Sequence, residues 1–482
     1  MIRVIRSLPH LNTQLRSWRA LSTTTTMTVP TKDQGILPTF RSPIVSELRF
    51  FNSLTSEQGQ IPTYRVLDGV GIPVEGGQLP EINEEFARRL YEHMVRLPTV
   101  DNVLYNVQRQ GKISFYMTSY GEEATIIGSA AALAPDDEVL GEHARFAPPL
   151  HRSLKSEIGQ YREMGVLLWR GFGIDGIMAQ CFGNLEDKSG KGRQMPMVRY
   201  PTITLSYQTL AFSQHFGSPK HHFHTISSPL ATQIPQAAGV GYALRRDPAR
   251  RHKNVACVYF GEGAASEGDF HAGMLLASTI PCPTIFLARN NGFAISTPAH
   301  EQYAGDGIAA RGPGYGVDTV RVDGNDILAV MNAVTEAKRR CLASGRAVLV
   351  EAMTYRVGHH STSDDSFAYR GRQEVENRKK IDNPITRFRL FMESRGWWND
   401  QEEEALKSRL KKDVLTVLRK AESLKQSDLR DLFTDVYAGE EPWNLREQRE
   451  ELGALLRKYG EVWQPWQSEL KRFKDEGKKL ME

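Results

Sequence analysis

The stretch Val255-Ala-Cys-Val-Tyr-Phe-Gly-Glu-Gly-Ala-Ala-Ser-Glu-Gly-Asp-Phe270 decides the fold. Val255 to Phe260 is a short apolar run rich in strand formers, Gly261 to Gly268 is a glycine-rich turn, and Phe270 to Ala277 reads as helix. Pro283 to Ala288, Val317 to Val322 and Ala347 to Met353 repeat the strand pattern, and Asp326 to Leu342 repeats the helical one. Strands alternating with helices predict an α/β fold, a parallel sheet flanked by helices. Towards the amino terminus, Glu84 to Tyr105 carries Phe86, Leu90, Met94, Leu97 and Leu104 at helical spacing, with a break expected at Pro98. Tyr120-Gly-Glu-Glu-Ala opens an alanine-rich run to Ala134, a buried helix. From Gln373 the chain turns rich in Lys, Glu and Arg with Trp and Leu anchors, which predicts helices packed on the outside or against a partner. There is no internal repeat.

Length and composition bound the function. The chain has 482 residues, 24% charged and 40% hydrophobic, a balance that fits a globular enzyme and excludes wholesale disorder. No apolar run reaches the ~20 residues that span a bilayer. The four cysteines, Cys181, Cys257, Cys282 and Cys341, form no C-x-x-C pair, so neither a zinc site nor a disulfide scaffold is indicated. The net charge is +4, yet Arg3, Arg6, Arg16, Arg19 and Lys32 precede the first acid, Asp33. Without those five cations the rest of the chain stands at −1, which is not the basic footprint of a nucleic-acid binder. The Arg-containing, Ser/Thr-rich, acid-free residues 1–32 have the composition of a cleavable mitochondrial transit peptide. Beyond them we expect an arm over 33–80, an α/β domain over 81–372 and a charged helical region over 373–482.

Glycines between a strand and a helix let backbone amides approach an anion at the helix amino terminus, though such a turn is often only a tight connection. Gly261-Glu-Gly-Ala-Ala-Ser-Glu-Gly268 lacks the Gly-Lys-Ser/Thr of a P-loop and the spacing of a dinucleotide site. Glu262 sharpens it, because Asn290-Asn291-Gly292 ends the next predicted strand, with 27 residues between Gly263 and Asn291. In an α/β unit both loops emerge at the carboxyl ends of neighbouring strands, where ligands bind. One carboxylate and one amide oxygen suit magnesium, which takes its other ligands from phosphates, a carbonyl and water.

This pattern resembles the Gly-Asp-Gly…Asn-Asn signature of thiamine-diphosphate enzymes, with Glu262 in the acidic position. Ile61-Pro-Thr-Tyr-Arg, Arg109-Gln-Gly-Lys-Ile-Ser-Phe-Tyr-Met, Ser227-Ser-Pro-Leu-Ala-Thr-Gln233, Gly305-Asp-Gly-Ile-Ala-Ala-Arg-Gly312 and Gly358-His-His-Ser-Thr-Ser-Asp-Asp365 are similar to the alpha subunits of mitochondrial branched-chain 2-oxo acid dehydrogenases, over roughly residues 60 to 480. The resemblance implies a thiamine-diphosphate-binding fold and a matrix enzyme that oxidatively decarboxylates branched 2-oxo acids. Magnesium would be held by Glu262, Asn291 and the carbonyl of Phe293, which stands where the family often has tyrosine. Tyr161, Arg162, Ser228, Gly263, Ala264, Arg289 and His360 would contact thiamine diphosphate. Ser227, Pro229, Thr232 and Gln233 would form a potassium loop. His360 would be the catalytic residue and His359 its structural neighbour. Ser361 would be a phosphorylation site for a regulatory kinase and phosphatase, while the family's second regulatory serine is replaced by Gly371. The implied partners are a beta subunit in an alpha-two beta-two heterotetramer and a lipoyl acyltransferase core.

Two stretches depart from the family pattern, roughly 142–159 and 198–214, each beside a cofactor or potassium motif. Structureless loops of that length are uncommon inside a compact domain. Gly141-Glu142 and Val198-Arg199 can be encoded with donor-like sequences and Gln214 with an acceptor-like one, so we read both as short introns translated in frame; genuine lineage-specific loops are the other reading. Two functional alternatives also stand: a pyruvate dehydrogenase alpha subunit, and an inactive form that still pairs with the beta subunit.

Overall fold

The computed structural model describes residues 42–52, 60–113, 116–141, 162–187, 216–226, 229–425, 429–433 and 439–471. The expected transit peptide, the two extra stretches and the site residues Tyr161, Ser227 and Ser228 lie outside them. Among the described residues, β1 (Ile44–Val45), β2 (Thr63–Tyr64), β3 (Glu138–Leu140), β4 (Ala256–Gly261), β5 (Thr284–Asn290), β8 (Asp318–Asp323) and β9 (Val348–Met353) form one sheet in the order β1-β2-β8-β9-β5-β4-β3. Every pairing in it is parallel. A small antiparallel ladder, β6 (Phe293–Ala294) with β7 (Thr297–Pro298), follows β5.

The sheet is buried on both faces because its strands are apolar on both. Cys257 and Tyr259 of β4 and Ile285 and Leu287 of β5 enter one core, whereas Val258, Phe260, Phe286 and Ala288 enter the other. This alternation is the period of two that sends successive side chains to opposite faces. The first core takes α1 (Glu84–Arg109), α2 (Glu123–Ala132), α3 (Met164–Trp169) and α4 (Gly173–Phe182). The second takes α5 (Gln233–Arg246) and α6 (Gly268–Thr279). Helix α7 (Ile327–Ser344) returns to the first face, capped by Asp326, whose side chain accepts the amides of Leu328 and Ala329, and ended by Gly345 at φ +68°. The carboxy-terminal region holds α8 (Arg372–Ile381), α9 (Pro384–Ser394), α10 (Asp400–Ser423) and α11 (Trp443–Lys458). In α10 the residues Leu406, Leu410, Val414, Leu418 and Ala421 make one buried stripe, and the charges fill the other face. All four cysteines are buried and none is in a disulfide. No helix among the described residues is long and apolar enough to cross a membrane.

The break expected at Pro98 does not occur: α1 runs through it to Arg109. An interior proline costs about 3 kcal/mol, roughly what one or two fully buried apolar side chains return. Leu90, Met94 and Leu97 on one side of Pro98 and Val100, Leu104 and Val107 on the other are all buried, so the helix continues.

Candidate active site

The sheet register builds the site. Gly261, the last residue of β4, pairs with Arg289 of β5, so the turn after β4 and the asparagines after β5 leave the sheet side by side. The amide of Asn291 consequently reaches Glu262 Oε2 at 3.3 Å. Gly263 brings the turn close to the loop after β5: a Cβ there would sit 3.1 Å from Ala294 Cβ. Gly292, at φ +87°, makes the turn that a side chain would strain. In the same loop Ile295 holds φ +57°, a costly conformation for a β-branched residue, and its carbonyl accepts Arg356 Nη2 at 2.7 Å.

These loops wall a cavity of about 250 Å³, to which Glu122, Arg162, Glu262, Arg289, Asn291 and His360 contribute. Glu122 is its electrostatic hub. It accepts Arg289 Nη1 at 2.7 Å and Asn291 Nδ2 at 2.6 Å, and lies 3.3 Å from Arg162 Nη1. Arg289 reaches Glu163 with its other arm. Burial raises the pKa of Glu262 above the ordinary value, and the charge of Glu122 adds to that push while Arg356 opposes it. Glu122 goes the other way: the fields of Arg162 and Arg289 overcome its burial and lower its pKa.

His360 is held from behind. Its Nδ1 lies 3.1 Å from Arg356 Nη1, and a guanidinium can only donate, so Nδ1 is the acceptor and the neutral ring carries its proton on Nε2. Burial first, then the fields of Arg356, Arg162 and Arg370, hold the pKa of the imidazole well below the usual value, so the ring is neutral at physiological pH. Among the described residues Nε2 has no hydrogen-bond partner, nor has Arg162 Nε, while Arg162 Nη1 has the 3.3 Å ion pair with Glu122 and no closer bond. Buried donors left open around a cavity fit an anion that fills it. His359 faces away, its Nδ1 accepting the amide of Ser366 at 3.0 Å. Ser361 is buried and accepts the amide of Ser363 at 3.2 Å.

Of the residues singled out in the sequence, Arg162, Glu262, Gly263, Ala264, Arg289, Asn291, Phe293 and His360 line this one cavity. The loop carrying Pro229, Thr232 and Gln233 reaches it only through Leu230. In that loop Thr232 Oγ1 donates to the carbonyl of Pro229 at 3.2 Å, and the buried Gln233 Oε1 has no hydrogen-bond partner among the described residues. Glu122, Glu163 and Arg356 were missed. Tyr120-Gly-Glu-Glu was read only as the opening of a helix, and Glu163 sits next to a residue that was noticed, Arg162.

A parallel α/β sheet that gathers a buried carboxylate, an asparagine and three cationic or neutral donors at the carboxyl ends of adjacent strands defines a cofactor-dependent enzyme of the anion-binding kind. Residues 91–430 match the dehydrogenase E1 component family, and the chain belongs to that family, which implies thiamine diphosphate as the cofactor. It is 49% identical over 401 residues to the mitochondrial 2-oxoisovalerate dehydrogenase subunit alpha of Caenorhabditis elegans, covering 83% of this chain and 84% of that protein. The subunit of the same name from Homo sapiens is 49% identical, covering 83% and 81%. Subunit alpha 1 from Arabidopsis thaliana is 45% identical over 421 residues, covering 87% and 80%.

Proposed function

We propose that this chain is the alpha subunit of a mitochondrial branched-chain 2-oxo acid dehydrogenase. In the matrix it acts with thiamine diphosphate to decarboxylate the 2-oxo acids of Leu, Ile and Val oxidatively and to pass the acyl group to lipoamide. The observation that carries this reading is the cavity in which Glu262 and Asn291 meet opposite Arg162, Arg289 and His360. Relatives at about half identity are named as 2-oxoisovalerate dehydrogenase alpha subunits, which favours the branched-chain reading over pyruvate.

Thiamine diphosphate supplies the electron sink for decarboxylation. Arg162 and the Nε2–H of His360 have the open donors to bind its diphosphate, and Arg289 adds charge. Tyr161, Ser228, Gly263 and Ala264 complete the contacts. A magnesium ion fits beside Glu262, where it would offset a buried carboxylate that no salt bridge among the described residues neutralises, with Asn291 Oδ1 and the carbonyl of Phe293 as further oxygen ligands. Potassium is assigned to Ser227, Pro229, Thr232 and Gln233, where the open Gln233 Oε1 supports it. His360 holds a proton on Nε2 at the cavity wall, where it serves acyl transfer to lipoamide.

The cavity of about 250 Å³ lies below the roughly 300–1,000 Å³ of whole small-molecule sites. That size suits the diphosphate end, with the rest of the cofactor, and the glutamate that activates it, on a beta subunit in an alpha-two beta-two assembly docked on the acyltransferase core. Ser361 is the site for the regulatory kinase and phosphatase, since a dianion next to His360 would repel the diphosphate.

The test co-expresses the chain with its beta subunit and measures thiamine-diphosphate-dependent release of carbon dioxide. We expect 4-methyl-2-oxopentanoate to be turned over at least ~10-fold better than pyruvate, the scale on which a pocket separates side chains of different size. A preference for pyruvate would replace the substrate assignment, and release from neither would overturn the function.

A further inference from the structure

Residues 116–121 lie along the loop that carries His360 and Ser361. The amide of Thr362 donates to the carbonyl of Tyr116 at 3.0 Å, and the amide of Tyr116 donates to Thr362 Oγ1 at 3.1 Å. Further along, the amide of Val357 donates to the carbonyl of Tyr120 at 3.0 Å. Between these ties the two segments nearly touch, since a Cβ on Gly358 would stand 2.8 Å from Thr118 Oγ1. The segment is a splint on the loop.

Asp101, on α1 and buried, holds the splint in place. One carboxylate oxygen accepts the hydroxyl of Tyr116 at 2.7 Å, and the other accepts the amide of Ser119 at 2.5 Å. A weaker second tie runs from the Tyr120 hydroxyl to the carbonyl of Pro98 at 3.2 Å. Without the Asp101 carboxyl, the buried Tyr116 hydroxyl and Ser119 amide would lose these partners, and the splint would be freed to move towards water. We propose that Asp101 is a positioning residue for His360, acting through residues 116–119 to set the loop. Its effect on cofactor binding rests on the reading of His360 given above; its effect on the loop does not.

The bonding pattern makes a specific demand. Burial, ahead of all else, pushes the Asp101 carboxyl up to about 7, so the neutral acid is already well populated at neutral pH. An asparagine can accept from the Ser119 amide through Oδ1 and donate to the Tyr116 oxygen through Nδ2, which predicts rescue by Asp101→Asn.

The experiment measures hydrogen exchange at single amides in the heterotetramer with its beta subunit, without cofactor, and then titrates thiamine diphosphate with magnesium. We expect Asp101→Ala to speed exchange at Val357 and Thr362 by about 10-fold or more, leave the amides of β4 and β5 as in the wild type, and weaken cofactor binding; Asp101→Asn should stay within about 3-fold of wild type. Unchanged loop exchange in Asp101→Ala overturns the proposal. So does a rise shared equally by β4 and β5, or an asparagine variant as loose as the alanine one. If Asp101→Ala does not assemble, Tyr116→Phe, which removes one of the two bonds, is read by the same criteria with an expected rise of about 3-fold at Thr362. A loosened loop with unaltered cofactor affinity keeps Asp101 as the loop's anchor and removes His360 from the cofactor site.

Discussion

Glu262 is a carboxylate buried in a cavity wall that already holds Glu122. Such a residue costs the empty chain stability, which sites built for a cation commonly do. Glu262→Gln removes that cost together with the ligand charge, so two opposite changes are expected. Magnesium-dependent affinity for thiamine diphosphate should fall by ~100-fold or more in a fluorescence titration, the scale of losing one charged ligand oxygen, while the thermal midpoint of the apo chain stays level or rises. A falling midpoint would mark Glu262 as a structural residue. Glu123, its neighbour Glu122's successor in the chain, carries a different pH signature: burial raises its carboxyl to about 8, with the charges of Asp101 and Glu122 adding to the push. The folded state therefore keeps a proton that the unfolded state loses near pH 4.5. The stability this provides is complete below that pH and is lost as pH rises towards 8, on the order of 5 kcal/mol. Glu123→Gln keeps an acceptor for the Gly121 amide and should flatten the decline of the thermal midpoint between pH 5 and 8. An unchanged slope would place the titrating group elsewhere. At this scale the sequence was legible where chemistry is local: the glycine turn and the asparagine pair announce Glu262 and Asn291. Glu122 and Arg356 acquire their roles only when distant elements meet, and a Glu-Glu pair opening a helix looks like ordinary capping.

The strands β4, β5, β8 and β9 and the helices between them were readable because each is a long apolar run or a clean amphipathic period. The two-residue strands β1 and β2 were not, since a pair of residues has no period, and parallel partners make them strands. Pro98 misled for the converse reason: its local penalty is real but smaller than the burial around it. Helix α10 tests how tertiary burial sustains the charged region. Its Leu410 is fully buried, and the helix packs on α1 and α4. Leu410→Ala should cost about 2–5 kcal/mol, the range for emptying a leucine site in a core, and be read as a lower thermal midpoint with cofactor affinity retained. A loss below 1 kcal/mol would mean that the helix is seated by its rim pairs, such as Arg88 with Glu402 and Arg409 with Glu92.

The whole chain also leaves large apolar side chains exposed away from the cavity. Helices α5 and α6 pack on each other and leave Tyr242, Leu275 and Leu276 exposed. If the beta subunit seats on these side chains, Leu275→Lys should lower recovery of the heterotetramer on size exclusion without changing the fold of the alpha chain. The extra stretches bear on the same assembly. Gly141 and Arg162 flank the first of them, and a Cβ at Gly141 would stand 3.1 Å from Oε2 of Glu163, so the chain leaves and re-enters the fold at neighbouring points. Deleting 142–159 leaves Gln160 and Tyr161 to join two ends that already meet. For the second stretch, Gln180 Nε2 lies 3.4 Å from the carbonyl of Gly217, and the flanking elements touch there as well. Each halving of a loop lowers its closure cost by only ~0.6 kcal/mol, so deletion should be close to neutral for stability and decisive for function. If both stretches are translated introns, the shortened chain assembles with the beta subunit and releases carbon dioxide from 4-methyl-2-oxopentanoate while the full one does not, and peptides spanning Leu140 to Arg162 in the native protein show the short junction. Activity of the full chain, or native peptides from within 142–159, makes them genuine parts of the protein.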